Sequence, residues 1–427
     1  MRALKKLTLI AVLILLIAPI ATVSAEPFKS ATRLGFNDGF PPKRVVDISK
    51  WDKGEDARWS FQHISEFLPT ANISRGGVPT RFEMDLKDVS NVKFKPFSGK
   101  EMTVKQMLDA TYTDGIIVLQ DGKIVVEKYY NGMTPSTRHL LMSVSKSVTG
   151  TMAGILVHDG RLNPDKMVVD YIPELKNSPG YAQTTVREVL DMTTAIVFSE
   201  DYDDPKAEVT FHEQAAAWRG RTEIANKGLY AFAQTIKKAD REHGDIFHYA
   251  SINTDIIGWL IERTSGQRFK DFMSQTVWSK IGADHDAQIS VDYLGTPAAN
   301  GGFVITLRDL ARFGQMMLDD GYYNGHQLIP SGWVDDIRFD GKNSAWKPTK
   351  YGKIWPKGFY RNQWYVTKDS HGSFFAVGVN GQWIWINPTT KVVIVKFSSH
   401  PVSADTDNFN MTVPGLDAIA RHLGKKS

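Results

Sequence analysis

The chain has 427 residues, with 51 Lys and Arg against 47 Asp and Glu, and no cysteine. So small a basic excess gives no support to nucleic acid or an anionic membrane as the main partner. The missing thiols exclude disulfides, thiol catalysis and cysteine–zinc sites, so stability must come from the core, which a chain of this length can supply.

In chain order, Met1 to Ala25 reads as a secretory signal. Arg2, Lys5 and Lys6 form a basic start, Leu7 to Ile20 an apolar run, and Val23-Ser24-Ala25 a small-residue cleavage site. The run is short of the roughly 20 residues a membrane span needs. The expectation is therefore export to the periplasm or the exterior, cleavage after Ala25, and no stable membrane anchor afterwards. Loss of those three basic residues leaves 48 basic against 47 acidic.

Residues 26–102 are rich in Pro, Gly, Trp and Phe, with little periodicity, and read as an extension wrapping the main domain. Trp59 to Leu68 is expected to be a short helix, and Lys105 to Ala110 another. Gly115–Gln120 and Lys123–Tyr129 are β-rich runs around Asp121-Gly122, a strong hairpin signal.

Next comes Arg138 to Gly150, which holds a Ser-x-x-Lys pair, Ser143 and Lys146. Three residues along a helix bring two side chains onto one face, roughly 5–6 Å apart at Cβ. A serine hydroxyl is a poor nucleophile until a neighbour takes its proton. A lysine one turn on can do so if burial lowers its pKa, and free N–H groups at a helix start can steady an oxyanion. The spacing alone is weak, because Ser90/Lys93 and Ser344/Lys347 match it too. Context separates them: only Ser143/Lys146 runs into a small, apolar segment, Val148 to Leu156, able to bury as a helix.

Further on the character is helical. Tyr171–Leu175 turns into Val186–Met192, and an acidic stretch, Glu200 to Pro205, precedes Phe211 to Trp218. That stretch lacks the Gly-containing loop of a calcium site, and His212-Glu213 lacks the second histidine of a zinc-protease helix, so no metal is expected. Phe247 to Asn253 leads into an apolar helix, Ile256–Ile261, and Leu307–Leu318 follows Asn300 to Phe303. A second hairpin pattern, Gln382–Ile386 and Val392–Lys396, flanks Asn387-Pro388-Thr389-Thr390. β-rich runs near both ends, with helices between, predict one sheet built from both halves and an inserted helical region.

Three features in this order, Ser143-Val144-Ser145-Lys146-Ser147, Phe247-His248-Tyr249 and the Gly-rich Gly378 to Gly381, resemble the serine β-lactamase and penicillin-binding-protein superfamily. Met192-Thr193-Thr194, Glu200 to Pro205, Arg308 to Gly314 and Leu328-Ile329-Pro330 are similar to a subgroup, the 6-aminohexanoate-dimer hydrolases and related class C-like esterases. The likeness runs from about Trp59 to the end. It implies an α+β fold: a catalytic domain of residues 103–160 and 300–427 with an antiparallel sheet flanked by helices, an inserted all-helical domain of residues 161–299, and a site in the cleft between them.

Carried over by position, the resemblance implies Ser143 as the acylated nucleophile, Lys146 as its activating partner and Tyr249 as general base. The box of Tyr249 usually ends in Asn, where this chain has Ser251. The third box, usually Lys-Thr-Gly or His-x-Gly, falls on Ala376-Val377-Gly378, so only its glycine is kept. The N–H groups of Ser143 and Val379 would form the oxyanion hole. Tyr202, Trp218, Ser251, Gly378 and Asn380 would bind substrate, with Trp383 at the rim. The implied chemistry is two-step acyl transfer on a small-molecule ester or amide, without metal or organic cofactor, and no Gly-x-Ser-x-Gly elbow offers another nucleophile. The rival readings are a D-amino peptidase and a non-catalytic penicillin-binding-like receptor for cell-wall peptides.

Overall fold

The computed structural model describes residues 46–425, so the expected signal and cleavage site lie outside the described residues. Seven antiparallel strands form the main sheet, in the spatial order Phe359–Arg361, Trp364–Val366, Phe374–Gly378, Gln382–Asn387, Val392–Ser398, Thr113–Gln120 and Lys123–Tyr129. Both halves of the chain build it, joined where Val395 lies opposite Ile117. The Asp121-Gly122 turn has both residues at positive φ, 49° and 76°, the conformation a two-residue hairpin of this twist requires. Strand Val392–Ser398 is buried along its whole length beneath the helices Leu307–Leu318 and Thr406–Leu423. Burial on both faces explains its apolar run from Val392 to Val395.

A second antiparallel sheet, of Thr70–Ile73, Ala287–Ser290, Phe303–Thr306 and Arg138–Leu140, was not expected. It corrects one reading and adds to another. Residues 161–299 are not all helical, since Ala287–Ser290 is a strand, and the extension is stitched into this sheet through Thr70–Ile73. Strands of three or four residues are too short for a period of two to stand out from noise.

Two helices also differ from expectation. Trp59–Leu68 is broken into a short helix, Asp56–Ser60, and a 3₁₀ turn, Ile64–Glu66. The Phe61 carbonyl, which a continuous helix would use internally, instead accepts the Leu140 N–H at 2.9 Å. The Phe211–Trp218 helix runs from Glu208 to Ala215, stopped by Ala217 at φ 62°. Leu307–Leu318 has the expected limits, and the apolar helix around Ile256 extends over Ile252–Ser265.

Candidate active site

Strand Arg138–Leu140 delivers the chain to a tight turn in which Met142 takes a left-handed φ of 45°. That conformation is sterically costly for a non-glycine residue. It sets Ser143 at the N-cap of the helix Val144–His158, whose first three turns are buried. Lys146, one turn on, is 1% exposed. Its Nζ donates to Ser143 Oγ at 2.8 Å and to the Asn300 carbonyl at 2.9 Å. Burial pulls its pKa down to about 8, against the opposing fields of Glu200 and Asp255. An amine whose proton is loosened in this way, seated on a serine hydroxyl, is the arrangement of an activated nucleophile.

Tyr249 is half-buried, and the Lys146 ammonium lies 5.1 Å from the centre of its ring. Burial drives its pKa well up, helped by Tyr360 and Glu200, while a hydrogen bond with Ser143 acts the other way. Its phenol is thus held protonated, as a donor. Ser143 and Val379 both line the pocket over the site. Between them Gly378, at the end of strand Phe374–Gly378, passes very close: a Cβ there would stand 2.7 Å from the Leu141 carbonyl oxygen and 2.9 Å from Ser143 N. Only glycine lets the strand edge approach the serine turn this closely.

A narrow pocket opens over Ser143 and is lined by Tyr202, Trp218, Ser251, Asn300 and Val379 among others. Glu200 organises one wall. Its carboxylate accepts from Ser251 N at 2.5 Å, Ser251 Oγ at 3.1 Å and Tyr202 OH at 2.7 Å. On the other wall, Trp218 donates to Ser290 Oγ at 3.0 Å. The pocket also touches Asp52 and Glu213, two carboxylates joined by Arg219, which grips Asp52 with two bonds of 2.7 Å and Glu213 with two more, of 2.7 and 3.0 Å. Burial raises Glu213 to about 7, with Asp52 adding to the shift and Arg219 and His212 reducing it.

Two expected binding residues are placed elsewhere. Asn380 is 1% exposed, and its amide donates to the carbonyls of Asp52, at 3.2 Å, and His400, at 2.7 Å, so it braces the turn instead of facing the pocket. Trp383 is 2% exposed, packed on Phe375 and Phe409, because its side of the sheet is covered by the last helix. Asp201 is exposed to solvent.

Sequence reasoning missed the layer behind Lys146. Asp255 accepts from Asn300 N at 3.0 Å and from its amide at 3.2 and 2.9 Å, and pairs with His212 Nε2 at 2.6 Å. This fixes the carbonyl that orients Lys146. No spacing links residues 212, 255 and 300, so the chain offered no local signal for them. The other two Ser-x-x-Lys matches have no such surroundings. Ser90 accepts from Lys128 at 2.9 Å, Lys93 pairs with Glu101, and Ser344 lies in the short helix Asn343–Trp346.

The chain matches the family model described as Beta-lactamase over residues 101–412. It is 38% identical to the 6-aminohexanoate-dimer hydrolase of Paenarthrobacter ureafaciens over 369 residues, covering 86% of this chain and 92% of that protein. A solved Bacillus anthracis protein assigned as a 6-aminohexanoate-dimer hydrolase superposes with a TM-score of 0.80 at 28% identity, over 90% of this chain and 98% of the other. The octameric penicillin-binding protein homologue of Pyrococcus abyssi shares the fold, with a TM-score of 0.57 at 16% identity over 76% of each chain.

Proposed function

We propose, for a chain that belongs to the beta-lactamase family and is a serine hydrolase, that it cleaves small esters or amides through an acyl-enzyme on Ser143. The observation that carries this reading is the 2.8 Å bond between Lys146 Nζ and Ser143 Oγ in a buried site. In its neutral form Lys146 takes the Ser143 proton as Oγ attacks the carbonyl carbon. The negative charge that develops on the carbonyl oxygen faces the N–H groups of Ser143 and Val379, each such donor worth about 3–4 kcal/mol. Tyr249, kept protonated by burial, gives its proton to the departing oxygen or nitrogen, and the proton held on Lys146 restores it. Water then attacks the acyl group, and the same side chains run the transfer in reverse.

The substrate class follows from the walls. Ala376, which is buried, and Val377, in the strand that ends at Gly378, carry neither charge nor hydroxyl for a substrate carboxylate. Tyr202 and Trp218 give apolar surface, and Asp52 with Glu213 gives an acidic end that Arg219 only partly neutralises. Apolar or amine-bearing acyl chains fit that lining, and the relative named for a 6-aminohexanoate dimer supports the linear amide as one member of the class. Residues 1–25 support export, to the periplasm or exterior. The test is a panel of p-nitrophenyl esters, linear ω-amino-acid amides, D-peptides and β-lactams. The reading expects the first two to turn over with a stoichiometric burst, and turnover of D-peptides alone would replace it with a peptidase.

A further inference from the structure

We propose that Trp51-Asp52-Lys53, which precedes the residues matched by the family model, is a positioning element of the active site, holding the oxyanion turn and the Tyr202 wall in register. The proposal rests on the reading of Ser143 as nucleophile and Val379 N–H as oxyanion donor.

Three consecutive residues reach three separate parts of the pocket. Trp51 is the anchor: it is fully buried, packs edge-on to Trp218 at 5.6 Å, and donates its Nε1–H to the Trp218 carbonyl at 2.8 Å. Asp52 works with both ends of its residue. Its carboxylate takes Arg219, next to Trp218, while its carbonyl accepts the Asn380 amide at 3.2 Å. Lys53 reaches the opposite wall, where its Nζ donates to the Tyr202 carbonyl at 2.9 Å and meets Asp203 at 3.3 Å.

The bond to Asn380 matters because of what precedes it in sequence. Asn380 follows Val379 directly and has a left-handed φ of 59°. Its own N–H bonds to the Ser403 carbonyl at 2.8 Å, and its amide also reaches His400. The peptide that carries the Val379 N–H is therefore held in place by bonds one residue downstream, one of them from outside the family domain. An oxyanion donor is useful only while it stays within a few tenths of an ångström of its mark. Lys53 and Asp203 are exposed, so their charge pairing is worth little. The bond to the Tyr202 carbonyl sets position, since it fixes backbone.

Two variants test this. Asn380→Gly keeps a backbone that tolerates positive φ and deletes both side-chain bonds. It should lower kcat, and the rate of labelling by a fluorophosphonate, about tenfold, at unchanged KM and an unchanged burst of one product per enzyme. Lys53→Met, on an exposed side chain, should raise KM about fivefold for substrates that reach Tyr202, with kcat unchanged. Parent kcat in Asn380→Gly, or a loss explained by a smaller burst, would overturn the proposal, as would parent KM in Lys53→Met. Failure of the parent enzyme itself to label at Ser143 would instead overturn the reading on which the proposal rests.

Discussion

Lys146 Nζ sits 2.8 Å from Ser143 Oγ, and the same amine is held from behind by the Asn300 carbonyl at 2.9 Å. The two contacts aim the nitrogen at the hydroxyl in a region where the lysine is fully buried. Burial disfavours the ammonium, so the pKa falls to about 8. The base form is the neutral amine, which accumulates as pH rises. We expect kcat/KM to climb with pH, reach half its plateau near pH 8, and fall tenfold per unit well below that. A profile flat from pH 6 to 9 would remove Lys146 as the base.

Lys146→Arg should be inactive, although it keeps the charge. A guanidinium stays protonated at any working pH and cannot take the Ser143 proton. Steady-state rates within tenfold of the parent would contradict this.

Tyr249→Phe should lower kcat by about 10²–10⁴, the usual worth of a positioned acid–base group. KM should change little, because the ring and its packing remain. The loss should be greater for amides than for p-nitrophenyl esters, whose leaving group departs without a proton. Equal losses on both would mean that the Tyr249 hydroxyl does not protonate the leaving group, and no loss on either would mean that it acts by packing alone.

Gly378→Ala brings a methyl group to within 2.7 Å of the Leu141 carbonyl and 2.9 Å of Ser143 N. Neither contact is with a flexible side-chain end, so the strand edge must move. With Val379 next in sequence, the oxyanion donor moves too, and kcat should drop by at least about 10². Full activity would show that Val379 is not the donor.

How much of this was legible in the sequence depends on the distance over which each feature is encoded. The Asp121-Gly122 hairpin and the helix Leu307–Leu318 are local, and periodicity with turn chemistry placed them. Ser143 and Lys146 were separable from two chance matches because the apolar run that buries them is adjacent in sequence. Asn380 was misplaced as a substrate contact, because its partners Asp52 and His400 are 328 and 20 residues away. Glu213 was set aside as a broken metal motif, and its role as pocket lining appears only once Arg219 and Asp52 are folded against it. The small sheet escaped notice because each strand is shorter than the pattern that would reveal it.

On substrate, penicillins and cephalosporins should be poor. Their carboxylate finds no cation at Ala376 or Val377, and loses a charge-assisted bond of about 1.5–3 kcal/mol, or roughly ten- to hundredfold in affinity. Competition assays between a short-chain ester and a cephalosporin measure this. Hydrolysis of the cephalosporin faster than of any simple ester would refute the assignment of that edge.

The central claim, that Ser143 carries the acyl group, is tested most directly by fluorophosphonate labelling with peptide mass spectrometry. The account predicts one adduct, on Ser143, lost in Ser143→Ala and retained in Ser90→Ala and Ser344→Ala. An adduct on another serine, or labelling and turnover that persist in Ser143→Ala, would contradict it.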